Sequence, residues 1–229
     1  MSRVHRKLVY RNSISKPFII ELFGVPASGK SSFKRIILLK LKLFDVDRLN
    51  FKMMLSDPPL VDLDYSLINT YYFNNELKGE NDIRFKIKKM DFFNQKIQED
   101  RMTLSYGKNT VNDEGLFHHF YDFWIDLGIN KPNEFKKFIS NRIFIYVYAD
   151  NETICQNIKK RSVKFNYTWD GHLGKSDQEI NELNEELNVK FRRLKSLINE
   201  NGGKCIEVDT KTPLEQYTNS IHLFIKGTK

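Results

Sequence analysis

The sequence predicts an α/β fold in which a parallel sheet of five short strands carries helices on both faces. Two observations predict it. Short apolar segments alternate along the chain with longer segments of helical periodicity. Between the first apolar run, residues 18–23, and the first helical pattern lies the spacing G-x-x-x-x-G-K-S, residues 24–31. In such a sheet the residues that follow strands gather at one edge, where ligands bind.

The 24–31 spacing is that of a phosphate-binding loop. Its glycines permit backbone angles that turn successive N–H groups inward, and the following helix presents its N-terminal amides to the same anion. The spacing predicts that Lys30 reaches the β- and γ-phosphates of a nucleotide and that the Ser31 hydroxyl binds Mg²⁺. The predicted nucleotide-binding residues are Gly24, Val25, Pro26, Ala27, Ser28, Gly29, Lys30, Ser31 and Ser32.

In the first half of the chain, apolar and basic residues alternate at helical spacing over 32–43, and a short strand is expected over 44–48. Asp57-Pro58-Pro59 interrupts regular structure. Two helices are then expected, over 65–77 and 83–104, the second capped by Asp82.

The second half begins with a short strand from about residue 109 that ends at Asp113-Glu114. The near-continuous apolar run 143–148 is typical of a buried parallel strand, and 205–209 is predicted as the last strand. Residues 162–176 are predicted as a loop. The segments with helical patterns are 116–127, 133–139, 151–161, 177–200 and 213–226.

Carboxylates follow two of the predicted strands. Asp113 and Glu114 end the third strand, where an acid beside a phosphate loop can hold Mg²⁺ through water. Asp45 and Asp47 lie at the end of the second strand. Because these strand ends share one edge of the sheet with the 24–31 loop, we expect the acids and the loop to converge.

Composition restricts the partners and the compartment. A net charge of +8 favours anionic partners such as nucleotides and permits nucleic acid, but the cations are scattered, which favours an ordinary basic surface. Residues 1–17 form a basic extension without acids. No apolar stretch is long enough to span a membrane. The only cysteines, Cys155 and Cys205, are isolated, which favours a reducing compartment, and we expect the cytoplasm.

These features resemble those of the P-loop kinases that act on small molecules, the nucleoside and nucleotide kinase-like group. The loop at 24–32, the strand-end Asp113-Glu114, Lys159-Lys160-Arg161 and the closing segment 206–210 carry the resemblance. It implies strand order 2-3-1-4-5, ATP with Mg²⁺ as phosphoryl donor, and one domain over 18–229. Within that domain it implies an insertion at about 49–108 and a lid at about 161–176.

The resemblance also implies roles for individual residues. Arg161 matches the lid arginine that contacts the transferred phosphate in this family, with Lys159, Lys160 and Lys164 as rivals. Asp47, with Asp45 second, matches the carboxylate that takes the proton of the acceptor hydroxyl. Lys30, Asp113 and Glu114 complete the expected catalytic set. The implied reaction is transfer of the γ-phosphoryl group to a nucleoside, nucleotide, sugar or sugar phosphate; the acceptor and the oligomeric state stay open.

Other functions remain alternatives. The first alternative to a small-molecule kinase is a nucleotide-binding switch or ATPase with little acceptor-dependent turnover. The second is a kinase that acts on nucleic-acid ends. A regulatory GTPase is disfavoured because Asn130-Lys131-Pro132-Asn133 does not match N-K-x-D. No histidine pair has the spacing of a metal hydrolase. His118-His119 is predicted to lie on a helix, where adjacent side chains point apart.

Overall fold

The computed structural model describes residues 18–41, 43–45, 64–106, 108–165 and 174–213, and positions 216, 217, 219 and 221. The strands are β1 (Ile19–Phe23), β2 (Phe44–Asp45), β3 (Thr110–Asn112), β4 (Arg142–Tyr148) and β5 (Lys204–Asp209). The helices are α1 (Lys30–Leu41), α2 (Tyr65–Asn75), α3 (Ile83–Ser105), α4 (Leu116–His119), α5 (Tyr121–Asn130), α6 (Pro132–Ile139), α7 (Asn151–Phe165) and α8 (Asp177–Glu200).

The sheet is parallel and its strands have the order β2-β3-β1-β4-β5. The predicted α/β class with a parallel sheet is confirmed. Four strands of three to seven residues form the body of the sheet. β2 adds only the pairings of Phe44 with Thr110 and Asp45 with Val111, so the expected five strands are reached only when this two-residue edge strand is counted.

Alternation along the strands divides the core into two layers. Ile20 and Leu22 of β1 face the side covered by α1, where Phe33 and Ile37 pack against them. Phe23 faces the opposite side, which is larger and rich in aromatic rings. The helices that contribute buried side chains to this second layer are α2, α3, α4, α5, α6, α7 and α8. Successive strand residues point to opposite faces, which is why one strand serves both layers.

One buried polar cluster interrupts the aromatic layer. Arg142 donates from Nη1 to Glu21 at 3.3 Å and from Nη2 to Asp100 at 2.6 Å, and the Tyr65 hydroxyl donates to Asp100 at 2.8 Å. We call Glu21, Arg142 and Asp100 the buried triad. Glu21 also accepts a 2.6 Å hydrogen bond from the backbone N–H of Phe117. The triad therefore joins β1, β4, α3 and the start of α4.

The predicted helix over 116–127 is wrong in one respect, because it is broken at Phe120. That residue has φ −123° and ψ 42° and separates α4 from α5. Its ring makes edge-to-face contacts with Phe93 and Tyr72, at centroid distances of 4.7 and 5.6 Å. Tertiary packing of an aromatic side chain thus overrides the local helical pattern.

Other observed boundaries of helices and strands also differ from the predicted ones. The predicted loop over 162–176 begins later, because α7 continues to Phe165. Of the predicted strand over 44–48, positions 46–48 lie outside the described residues, as does most of the predicted terminal helix. Cys155 and Cys205 are free thiols, while the cytoplasmic location stays a prediction. No helix in the described part of the chain is long and apolar enough to cross a membrane.

Candidate functional site

The segment between β1 and α1 has the backbone of a phosphate-binding loop. Gly24 has φ +148°, and a Cβ there would lie 2.3 Å from the carbonyl oxygen of Val147, so only glycine fits. Gly29 has φ +98°, in the region that glycine tolerates. The Asn157 side chain of α7 donates a 2.9 Å hydrogen bond to the carbonyl oxygen of Ala27. This contact ties the loop to the helix that leads into the predicted lid.

Lys30 begins α1, and its side chain folds back into the loop. Its Nζ donates hydrogen bonds to the carbonyl oxygens of Gly24 and Val25, each at 2.9 Å. Burial lowers the pKa of Lys30 to about 8, although the nearby carboxylates of Asp113 and Glu114 act in the opposite direction. The Lys30 amino group is therefore mostly protonated at neutral pH, and it lies inside the loop.

Ser31 and Asp113 meet at the start of α1. The Ser31 hydroxyl donates to Asp113 Oδ2 at 2.9 Å. Lys34, one turn along α1, lies 2.8 Å from Asp113 Oδ1 and 2.8 Å from Asp45 Oδ1. We call Asp113, Lys34 and Asp45 the rim triad. It brings together the ends of β2 and β3 and the first turn of α1, as expected from the carboxyl ends of parallel strands.

The environment of Asp113 favours its charged form. Burial alone raises the pKa of this carboxyl, but the hydrogen bond and charge of Lys34 and the hydrogen bond from Ser31 outweigh it, so the pKa lies below its usual value. Asp113 is therefore ionised at neutral pH.

The donor atoms at this point fit Mg²⁺. A serine hydroxyl and a carboxylate supply hard oxygen ligands, and Mg²⁺ in nucleotide sites keeps several water and phosphate ligands besides one or two from the protein. The described part of the chain holds no group of three or more His, Cys, Asp or Glu suited to a metal. Ser31 and Asp113 thus suit an ion shared with a nucleotide rather than an all-protein metal cage.

A cavity of about 550 Å³ opens beside the loop. It is lined by Pro26, Ala27, Gly29, Lys30, Ser31, Glu114, His118, His119, Tyr121, Arg161, Leu187 and Phe191. Four residues predicted for catalysis or metal binding, Lys30, Ser31, Glu114 and Arg161, therefore border one space together with three of the predicted loop residues. Asp113 adjoins this space through Ser31. The lining residues come from the loop and the start of α1, from Glu114, and from α4, α5, α7 and α8.

The remaining predicted residues are placed differently. Asp47 lies outside the described residues, so its assignment as general base stays a prediction. Asp45 is paired with Lys34 in the rim triad. Among the rivals of Arg161, Lys159 forms an ion pair with Asp177 at 2.9 Å. The side chain of Lys164 lies outside the described part of α7.

Sequence reasoning missed His118 and His119 as site residues. Both line the cavity, although adjacent residues of a regular helix point apart. α4 has only four residues and ends at the break at Phe120, and the two imidazole centroids lie 5.1 Å apart. The signal that could have found them was their position, two adjacent histidines four residues after a strand-end carboxylate pair.

Both histidines are electrically neutral at pH 7. Burial lowers the pKa of His118 well below its usual value, and the positive charge of Lys30 adds to this effect. Burial lowers the pKa of His119 to about 4, with Lys96 and Lys30 contributing. His118 Nδ1 and His119 Nε2 are buried and have no hydrogen-bond partner within the described structure. His119 Nε2 lies 4.0 Å from a carboxylate oxygen of Glu114, which is beyond hydrogen-bond distance.

By sequence alone, no protein-family model and no curated protein matches this chain.

Comparison with solved structures identifies the fold. A deoxyadenosine kinase from M. mycoides, solved with dCMP and dCDP, superposes with a TM-score of 0.50 at 15% identity over 91% of this chain and 99% of that one. A shikimate kinase from Bacteroides thetaiotaomicron gives a TM-score of 0.48 at 12% identity, covering 91% and 98% of the two chains. A putative kinase from Chloroflexus aurantiacus gives 0.46 at 13%, covering 94% and 100%. The superposition with the deoxyadenosine kinase shows that the chain has the fold of the P-loop small-molecule kinases.

Proposed function

We propose that this protein is a phosphotransferase that moves the γ-phosphoryl group of ATP to a small-molecule acceptor. The observation that carries the proposal is the meeting of Lys30, Ser31 and Asp113 at the edge of one cavity that also reaches Glu114 and Arg161. A loop that binds phosphate alone needs no such cavity. A phosphoryl transfer needs room for a second substrate in line with the γ-phosphate.

Each residue has a role in this proposal. The backbone of the loop and the Lys30 ammonium bind the β- and γ-phosphates and neutralise charge as it spreads in the transition state. Ser31 and Asp113 would hold Mg²⁺, which would neutralise negative charge on the phosphates. Arg161, on α7, supplies a further cation to the transferred group. Asp47 accepts the proton of the acceptor hydroxyl.

The acceptor is proposed as a nucleoside, nucleotide, sugar or sugar phosphate. A cavity of about 550 Å³ accommodates any of these. The deoxyadenosine kinase that shares this fold was solved with dCMP and dCDP bound, which supports nucleosides and nucleotides as ligands of the cavity. Exclusion of water around the phosphates would suppress hydrolysis of ATP without transfer.

The test is ADP release across a panel of nucleosides, nucleotides, sugars and sugar phosphates, with Mg²⁺. The proposal expects at least one acceptor to raise the rate well above the rate with ATP alone. ATP binding without acceptor-stimulated turnover would identify a nucleotide-binding switch instead. Binding of oligonucleotides with a steep salt dependence, together with transfer to their ends, would identify a nucleic-acid kinase.

A lysine pair tests the nucleotide site itself. Lys30→Ala removes the buried cation of the loop, and we expect ATP affinity and turnover to fall by about a hundredfold or more, because hydrogen bonds to charged groups are among the strongest that binding uses. Lys40→Ala, on the exposed last turn of α1, is the matched control and should change neither. Full ATP affinity and activity in Lys30→Ala would refute the phosphate-loop assignment.

A further inference from the structure

The residues that line the cavity fall into two groups of different character. The first comprises the loop residues, Lys30 and Ser31 at the start of α1, and Arg161 of α7. The second group, which we call the facing wall, consists of His118, His119, Tyr121, Leu187 and Phe191. Among the described residues that line the cavity, the only cations are Lys30 and Arg161, and the only anion is Glu114.

The two imidazoles of the facing wall are uncharged, and each has one nitrogen without a hydrogen-bond partner in the described structure. His118 Nδ1 and His119 Nε2 are buried yet bond to nothing in the described structure. A buried polar atom without a partner costs about 1–3 kcal/mol, so a ligand that satisfies it gains by binding there. Because a neutral imidazole has one nitrogen that donates and one that accepts, these atoms suit hydroxyl, amide or ring-nitrogen groups.

Aromatic rings set the shape of this wall. The ring of His118 lies nearly parallel to that of Phe191, at 14° with centroids 6.0 Å apart, and Tyr121 meets Phe191 edge to face at 5.0 Å. These packed rings therefore line the cavity beside the two imidazoles. The wall therefore suits an uncharged ring that carries polar groups on its edge.

Among the described residues of the facing wall, none is a cation that could pair with the phosphate of a phosphorylated acceptor. Its phosphate would need a cation of its own, and the proposed function already assigns Lys30 and Arg161 to the phosphates of ATP. Lys34 is engaged by Asp113 and Asp45. Lys96, near His119, is paired with Glu99 at 2.9 Å. An anion against the facing wall would instead meet the carboxylate of Glu114 on its rim.

We infer that His118 and His119 are the residues that select the acceptor, and that they favour an unphosphorylated hydroxyl-bearing ring over its phosphorylated counterpart. The inference rests on the proposed function for the identity of the site. It narrows the four proposed acceptor classes to nucleosides and sugars. Removal of either imidazole should weaken acceptor binding and leave ATP binding unchanged.

Binding, rather than turnover, tests the inference, so that its outcome is separate from that of the proposed function. Saturation-transfer difference NMR, which detects ligands of millimolar affinity, is recorded with an unhydrolysable ATP analogue and Mg²⁺ present. The probes are matched pairs: the four common 2′-deoxynucleosides with their 5′-monophosphates, and ribose and glucose with their terminal phosphates. The variants are His118→Ala, His119→Ala, the conservative His119→Asn, and His119→Lys. Val189→Ala, exposed on α8 outside the cavity, is the control.

In the probe pair that binds best, we expect the unphosphorylated member to bind at least tenfold more tightly than its phosphorylated counterpart. Each alanine variant should lose about tenfold in affinity for that probe, His119→Asn should recover part of the loss, and His119→Lys should shift the preference towards the phosphate. Equal or tighter binding of the phosphorylated member in the unmodified protein would overturn the inference. So would unchanged affinity in both alanine variants, or no binding of any unphosphorylated probe. Absence of turnover with a probe that binds would count against the proposed function alone.

Discussion

The molecule contains two triads with the same arrangement of charges, a cation between two carboxylates. They differ in how deeply their side chains are buried. In the rim triad, Lys34 lies 2.8 Å from both Asp113 and Asp45. In the buried triad, Arg142 lies 3.3 Å from Glu21 and 2.6 Å from Asp100. The side chains of Arg142 and Glu21 are each 1% exposed, whereas that of Asp45 is 13% exposed.

The two triads shift the pKa of a carboxyl group in opposite directions. Burial raises the pKa of Glu21 to about 7, although the charge of Arg142 and the N–H group of Phe117 partly offset it. In the rim triad, Lys34 and Ser31 outweigh the effect of burial and lower the pKa of Asp113. At the rim, the shared arrangement of charges therefore gives a carboxylate, that of Asp113, which stays ionised, as the proposed function requires of it. In the core, the same arrangement gives a carboxyl group, that of Glu21, which stabilises the fold and is costly to ionise.

The largest effect is expected from removing the cation of the buried triad. Arg142→Met leaves the carboxylates of Glu21 and Asp100 buried without a counter-charge, and we expect the free energy of unfolding to fall by about 3–5 kcal/mol at pH 7.5. Chemical denaturation measures this loss. A change below about 1 kcal/mol would mean that the buried triad contributes little to the fold.

A second experiment sharpens the contrast in proton affinity. Because the pKa of Glu21 is raised in the folded protein, its contribution to stability is fully present below about pH 4.5 and is lost as the pH rises to about 7. The shift corresponds to at most about 3 kcal/mol. Glu21→Gln removes this titration, so the difference in unfolding free energy between the unmodified protein and the variant should change between pH 4.5 and 7 and stay constant above that. A difference independent of pH would show that Glu21 is not protonated in the fold.

The smallest effect on stability is expected at the rim. Lys34→Met should lower the free energy of unfolding by about 1–2 kcal/mol at pH 7, because its carboxylate partners are closer to solvent than those of Arg142. Because the pKa of Asp113 is lowered in the folded protein, the loss should persist down to the ordinary value of 3.8 and shrink only at lower pH. Denaturation at pH 7 and at about pH 3 measures it. A loss as large as that of Arg142→Met would remove the distinction between the two triads.

The two triads also differ in how far the sequence could predict them. The loop at 24–31 and the strand-end Asp113 were predicted because a local spacing and a strand end suffice to identify them. The buried triad was not predicted, because its members are brought together by sheet pairing and by α3, with Glu21 and Arg142 far apart in the chain. A signal was present nonetheless: Glu21 lies inside an apolar strand, and an acid at such a position needs a partner.

Tertiary packing also explains the other differences. The periodicity over 116–127 predicted one helix, but the helix breaks at Phe120, whose ring packs against Phe93 and Tyr72. His118 and His119 lie just before this break and both line the cavity. No local pattern encodes that break, because it depends on rings supplied by α2 and α3.

The most direct test of the contrast compares Asp113→Asn with Glu21→Gln in the same assay of γ-phosphoryl transfer, with the best acceptor of the panel at saturating concentration. Circular dichroism first establishes that both variants are folded at the assay temperature. We predict that Asp113→Asn lowers kcat by about a hundredfold or more, because it removes the charged oxygen ligand that the proposed function assigns to Mg²⁺. Glu21→Gln should change kcat by no more than about threefold, because Glu21 lies in the core and has no role in that proposal. An unchanged kcat in Asp113→Asn, or an equal fall in both folded variants, would contradict the division between a working rim triad and a structural buried one.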